Sequence, residues 1–142
     1  MLRVVLDVNV LISAVTAQSG VPRTILRAWR EGQFELVVST HLLAELADVL
    51  GRPHLARYVT NGEAQEFAAT LRESAFVIED PPAAERLVPR DPDDDYRVAL
   101  ARVGRAHMIV NRDANLLETD LQPPAYSPRD FLARLAEIEG LL

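Results

Sequence analysis

The chain contains no cysteine, which removes disulfides and thiolate metal centres from consideration at the outset. It has only three histidines, which leaves little for an imidazole-based zinc site. It lacks any apolar run of about 18 residues, so no membrane span is expected. The N-terminal segment shows neither a long apolar stretch nor a small-residue cleavage pattern, so secretion is not indicated and a cytoplasmic location is the default expectation. Positive charge is also short. Fifteen Lys and Arg stand against 21 Asp and Glu, for a net charge of −6 and a pI near 5.0, which argues against a protein that coats nucleic acid through bulk positive charge. A nuclease is not excluded, because acids gathered in one pocket repel each other until cations enter, and bound cations can then meet a phosphate. General solubility explains the net charge equally well. There are no internal repeats and no low-complexity tract.

What is present is an alternation of β-rich runs and helical patterns. At 142 residues, 49% hydrophobic and 25% charged, the chain suits a single domain spanning 1–142 with a real core. Leu2, Val4, Val5 and Leu6 form a nearly unbroken apolar strand of the kind that is covered on both faces. Residues 8–15 continue apolar and read as a short helix. Val21, Ile25, Leu26, Ala28 and Trp29 recur at helical spacing around Pro22, with Gly32 as a stop. Residues 34–38 read as the second strand, and Ser39 or Thr40 can cap a helix over 40–50 whose apolar stripe is Leu42, Leu46 and Val49. Thr60 and Glu63 offer a capping box for a helix that buries Phe67, Ala68 and Leu71. Strands are expected at 75–78 and 107–110. Between them, the four prolines of 79–92 read as a connection crossing the protein. Ser127, Pro128 and Asp130 open a last helix with the face Phe131, Leu132, Leu135 and Ile138. This order predicts a three-layer α/β/α sandwich around a mainly parallel central sheet.

Acids recur where elements change. Asp7 follows the first strand, and sites in open α/β sheets lie at the carboxyl ends of strands. A plain N-cap is the simpler role for such a residue. Glu45 lies three residues after Leu42 and four before Val49, so helical geometry aims it toward the stripe, although an isolated Glu at a stripe's margin is ordinarily solvated. His41 and Asp48 lie one turn either side of it and do not establish a metal site. Residues 90–95 read RDPDDD. Asp91 can cap a helix with Pro92 at its first position, but capping does not explain four acids in five residues, because crowded like charges cost energy unless solvent or a cation relieves them. Asp94 shares a helical face with Val98 and Ala101 and is the first choice to point inward. Asp95 is the second, one residue of phase away. Asp113 repeats the geometry of Asp7 after the fourth strand. Carboxylates without cysteine favour the hard cations Mg²⁺ or Mn²⁺, which polarise a phosphodiester, activate water and stabilise the leaving oxygen. Metal-assisted phosphodiester hydrolysis is the natural reading.

Four segments, LDVNVLIS at 6–13, STHLLAELADVLGRP at 39–53, RDPDDD at 90–95 and IVNRD at 109–113, resemble in order and spacing the motifs of PIN-domain ribonucleases. The resemblance covers nearly the whole chain and is closest to the branch of toxins of type II toxin–antitoxin systems. It implies an α/β/α sandwich that cuts RNA with Mg²⁺ or Mn²⁺ and is neutralised by a small protein antitoxin. It makes Asp7, Glu45, Asp94 and Asp113 the acidic quartet, with Asp95 as a further candidate metal ligand and Asn9 and Ser39 as polar support. Three positions depart from the pattern: Val8 and Asn111 stand where Thr is usual, and Asn115 where a further acid often sits. Fewer anionic ligands mean weaker affinity for a hard cation. Arg112 and Arg90, nearest in sequence to the acids, are candidates to hold the substrate backbone, and a solvated surface role is as good a reading for both. A homodimer or higher homo-oligomer is expected.

Two other functions fit parts of the pattern. A PIN-fold module that has lost catalysis would act through a protein partner and need not bind Mn²⁺. An aspartate-based phosphoryl-transfer protein, such as a receiver or a haloacid-dehalogenase-like phosphatase, also uses an Asp after its first strand. The latter family usually has a second Asp two residues on, where this chain has Asn9.

Overall fold

The computed structural model of the chain describes residues 1–17, 19–79, 92–112 and 123–140, with side chains from residue 96 onward in the third of these segments. Among the described residues, five strands, β1 (Arg3–Leu6), β2 (Glu35–Ser39), β3 (Phe76–Ile78), β4 (Met108–Val110) and β5 (Ala125–Tyr126), form one sheet in the order β3-β2-β1-β4-β5. Every pairing is parallel. The helices are α1 (Val8–Thr16), α2 (Val21–Arg30), α3 (Thr40–Leu50), α4 (Asn61–Ser74), α5 (Pro92–Val103) and α6 (Pro128–Gly140), with a 3-10 turn at Pro53–Leu55. No described helix is long and apolar enough to cross a membrane.

The central strands are apolar without alternation because both of their faces are covered. Val4, Val5 and Leu6 of β1, Leu36, Val37 and Val38 of β2, and all of β4 are buried. The outer strand β3 differs, since Phe76 and Val77 are exposed. There the Arg3 guanidinium lies 4.5 Å from the Phe76 ring centre while its Nε donates to Glu35 Oε2 at 2.8 Å.

Local chemistry sets the helix starts. Thr60 Oγ1 accepts from the Glu63 N–H and donates to Glu63 Oε1, both at 3.1 Å, so Thr60 caps α4 as expected while Glu63 reaches back to the Thr60 hydroxyl. Ser127 Oγ accepts from the Asp130 N–H at 3.1 Å and fixes α6, whose Phe131 meets Phe34 edge-on at 5.3 Å. Helices α1 to α4 and α6 pack on one another in a connected layer, whereas α5 packs on β1, β2 and β4. The strand order reverses between β3 and β4, so right-handed crossovers put α5 on the opposite face of the sheet from the first four helices. Gly104 makes that packing close. A Cβ there would come within 2.5 Å of Val37 Cγ1.

The expected parallel sheet is present, and among the described residues it has a fifth strand, β5, which the sequence did not reveal. Its two residues carry no pattern of their own, and its place is set by the pairing of Ile109 with Ala125 and Val110 with Tyr126. In α3 the buried face is Leu42, Leu43, Leu46 and Leu50, with Val49 only partly covered. This helix packs on α1, α4 and β2 at once, so its apolar face is broader than a single stripe.

Candidate active site

Three polar residues are buried among the described residues: Asp7, Ser39 and Asn111, all at 2% exposure or less. Each is at, or one residue beyond, the carboxyl end of one of the three adjacent central strands. The register makes them a row. Val4 pairs with Leu36 and Leu6 with Val110; continued along the strands, Asp7 falls opposite Ser39 on one side and Asn111 on the other. Neighbouring strands lie about 4.8 Å apart, so the row is compact. It also sits where the strand order turns, since β1 leads outward to β2 and β3 on one side while β4 and β5 lie on the other. Ligands bind at such switch points in open α/β sheets.

Asp7 occupies the N-cap position of α1, yet its side chain makes no capping hydrogen bond. The N–H groups of Val8 and Asn9 at the start of α1 still face the carboxylate, so proximity to the helix start is only part of what surrounds it. Its Oδ1 is buried, has no aligned hydrogen bond, and faces Arg97 Nη2 of α5 at 2.6 Å in an ion pair. Burial pushes the Asp7 carboxyl above its ordinary value of 3.8, and the Arg97 charge and the Val8 and Asn9 N–H groups oppose this without cancelling it. A carboxyl raised on folding contributes stability that is complete below its unfolded value and is lost as the pH rises through its folded value. In chelator, the melting temperature of the wild type relative to Asp7→Asn should therefore fall as the pH climbs above 3.8 and level off once the folded group has ionised. Melting curves of both proteins across the acid range check this, and parallel curves would contradict it.

Ser39 is held from two sides. Its Oγ accepts from the Leu42 N–H at 3.1 Å, capping α3, and makes a short hydrogen bond with the Tyr96 hydroxyl of α5. Tyr96 also meets the His41 ring edge-on at 5.3 Å. The first turns of α5 thus clamp the ends of both β1 and β2, Arg97 on Asp7 and Tyr96 on Ser39. Ser39→Ala should lose about 1–2 kcal/mol of stability, since it removes the cap and leaves buried donors unmatched. Denaturant unfolding measures this, and a change below about 0.3 kcal/mol would mean that the cap contributes little.

The other expected residues are distributed unevenly. Glu45 is exposed on α3 and does not join the buried stripe as anticipated, because the positions one before and one after it, Ala44 and Leu46, divide surface from core. Asn9 and Arg112 are exposed as well. Asp48 pairs with Arg52 at 3.4 Å on the surface. Asp94 and Asp95 lie in the first turn of α5, their side chains outside the described ones. Asp113, Arg90 and Asn115 fall outside the described residues altogether. Among the described residues no three His, Asp or Glu side chains converge as a metal-binding group. Asp7 itself fits a hard cation: it offers a buried carboxylate oxygen without an aligned hydrogen bond, in a row whose other members supply oxygen and no sulfur.

Sequence reasoning missed Arg97 and Tyr96. A usable signal existed for Arg97, which lies three residues after Asp94 and four before the buried Ala101. An arginine on the buried side of a helix requires an anionic partner.

The PIN domain family matches residues 3–115. This chain belongs to the PIN domain family. PIN domains are typically nucleases and usually use divalent metal ions. No curated protein matches the sequence. Among solved structures, the fold is similar to the crystal structure of PAE2754 from Pyrobaculum aerophilum, with a TM-score of 0.61 over 96% of this chain and 90% of that one, at 17% sequence identity. The parallel five-stranded sheet flanked by helices is accordingly a PIN-like fold.

Proposed function

We propose that this PIN domain is an endoribonuclease dependent on Mg²⁺ or Mn²⁺, acting as the toxin of a toxin–antitoxin pair. Its activity would be neutralised by a small protein antitoxin, and its working form would be a homodimer or higher homo-oligomer. The observation that carries the nuclease reading is the row Asp7, Ser39 and Asn111 at the switch point of the sheet. Polar groups are buried only at a cost, and this fold gathers all of its described ones at the strand ends where ligands bind. The toxin and antitoxin rest on the motif resemblance.

In this reading Asp7, Glu45, Asp94 and Asp113 hold the cation, with Asp95 as the alternative third ligand. When bound, the ion supplies charge to polarise the phosphodiester and stabilise the departing oxygen. Asp7 is fixed by β1 behind it and α1 ahead of it, so its carboxylate is oriented before any ligand arrives. Ser39 and Tyr96 lock the start of α3, which carries Glu45 one turn further on. Asn9 supports the site from the first turn of α1. Arg112 and Arg90 receive the backbone of an RNA strand.

Incubation of a structured RNA with the purified protein, in Mn²⁺ and in chelator, tests the reading. Internal cleavage in Mn²⁺ alone is expected; no cleavage in either, together with no Mn²⁺-induced stabilisation, would defeat it. Glu45→Gln supplies a finer check. An exposed Glu has little to lose in the metal-free protein, so that variant should melt within about 0.5 kcal/mol of wild type in chelator and show a smaller Mn²⁺-induced rise in melting temperature. An unchanged rise would remove Glu45 from the site. Co-expression with the product of the adjoining reading frame tests the antitoxin.

A further inference from the structure

We propose that Arg97 is a built-in counter-ion that holds the place of the divalent cation at Asp7, so that a metal ion enters only by displacing the guanidinium from Oδ1. This rests on the metallonuclease reading of Asp7. The pair is internal: the Arg97 side chain is 14% exposed and that of Asp7 3%, with Nη2 and Oδ1 2.6 Å apart. A carboxylate buried this deeply stays ionised only beside a positive group. Arginine suits that role because its charge is permanent, so it cannot relieve the contact by losing a proton.

A hard cation needs the same oxygens. Mg²⁺ sits about 2.0–2.1 Å from its carboxylate ligands, and a cation that close to a guanidinium on the same carboxylate is repelled strongly inside a site shielded from water. The two occupants therefore exclude each other. The movement required is confined to a side chain. Val98 and Ala101 are fully buried and Gly104 closes against Val37, so the backbone of α5 is anchored while the guanidinium alone leaves Oδ1. An arginine that instead orients Asp7 for the ion would strengthen metal binding, so the sign of its effect on affinity separates the two roles.

Wild type, Arg97→Met and Arg97→Lys are titrated with Mn²⁺ by calorimetry at about pH 8, where carboxylates are ionised, and each is melted in chelator. Arg97→Met should bind Mn²⁺ about tenfold more tightly or better, as a repelling charge is gone, and should melt lower without metal, because Asp7 has lost its counter-ion. Arg97→Lys should fall between. Nitrogen-15 NMR of the arginine side chains in the wild type provides an independent reading: saturating Mg²⁺ should shift the Arg97 guanidinium signals. Should Arg97→Met fail to fold, this measurement decides by itself. Equal or weaker Mn²⁺ affinity in Arg97→Met, or Arg97 signals unmoved at saturating Mg²⁺, would overturn the counter-ion role while leaving the metallonuclease reading intact. Binding of Mn²⁺ by Arg97→Met alone would be its strongest support. Absence of Mn²⁺ binding by all three proteins would overturn both.

Discussion

An Asp7→Asn variant is expected to fold, to melt no lower than wild type at neutral pH in chelator, and to lose RNA cleavage by about 10³-fold or more in saturating Mn²⁺. The loss of activity follows from position. Asp7 is the buried carboxylate of the row at the ends of β1, β2 and β4, and an amide is a weak ligand for a hard cation beside a carboxylate. Removing a charged ligand raises the barrier by several kcal/mol, and each 1.4 kcal/mol is about tenfold in rate. The stability change is a balance. Asparagine removes the desolvation cost that raises the Asp7 pKa, but it also deprives Arg97 of its anion. Breaking a buried ion pair by removing one partner costs about 3–5 kcal/mol. Here that cost is outweighed, because the Asp7 pKa stays raised even with Arg97 beside it and the Asn carbonyl still accepts from the guanidinium. Cleavage of a structured RNA, beside a melting curve showing a cooperative transition, checks both halves. A folded variant that cuts at the wild-type rate would remove Asp7 from the site.

Asp94→Ala should cost far more activity than Asp95→Ala, with about 10²-fold or more between them. The reason is helical phase. Val98 and Ala101 are fully buried, Ala99 is partly buried and Arg102 is exposed. Position 94 is one turn before Val98 and two before Ala101, whereas position 95 leads to Ala99 and Arg102. Arg97, three residues beyond position 94, reaches Asp7 from the same helix. An acid at position 95 that stayed off the metal would act through the helix dipole, a contribution under about 1 kcal/mol. Rates of the two variants side by side in saturating Mn²⁺ decide the matter. A larger loss at Asp95 would mean that the phase is off by one, and equal total losses would give both carboxylates to the metal site.

The sequence by itself determined the elements and most of their boundaries, because these depend on neighbours close along the chain. The capping residues Ser39, Thr60 and Ser127 act on N–H groups three residues away, and the continuous apolar runs of β1, β2 and β4 are what covering on both faces demands. The parallel sheet followed from strands separated by helices, and Asp7 could be singled out because an acid closing a buried strand is legible at short range. The strand order was not legible. It alone makes neighbours of β1 and β4, about a hundred residues apart in sequence, and thereby sets Asp7 beside Asn111, a residue the sequence marked only as a departure from Thr. The strand β5 exists only as a partner for β4. Tertiary structure likewise decided that Glu45 is solvent-exposed, since helical period fixes an angle around α3 but not how far the neighbouring elements reach around it. The Arg97–Asp7 pair lay furthest from view, because a buried charge chooses its partner by what shares its cavity, and only the packed sheet and α5 bring those two side chains within 2.6 Å.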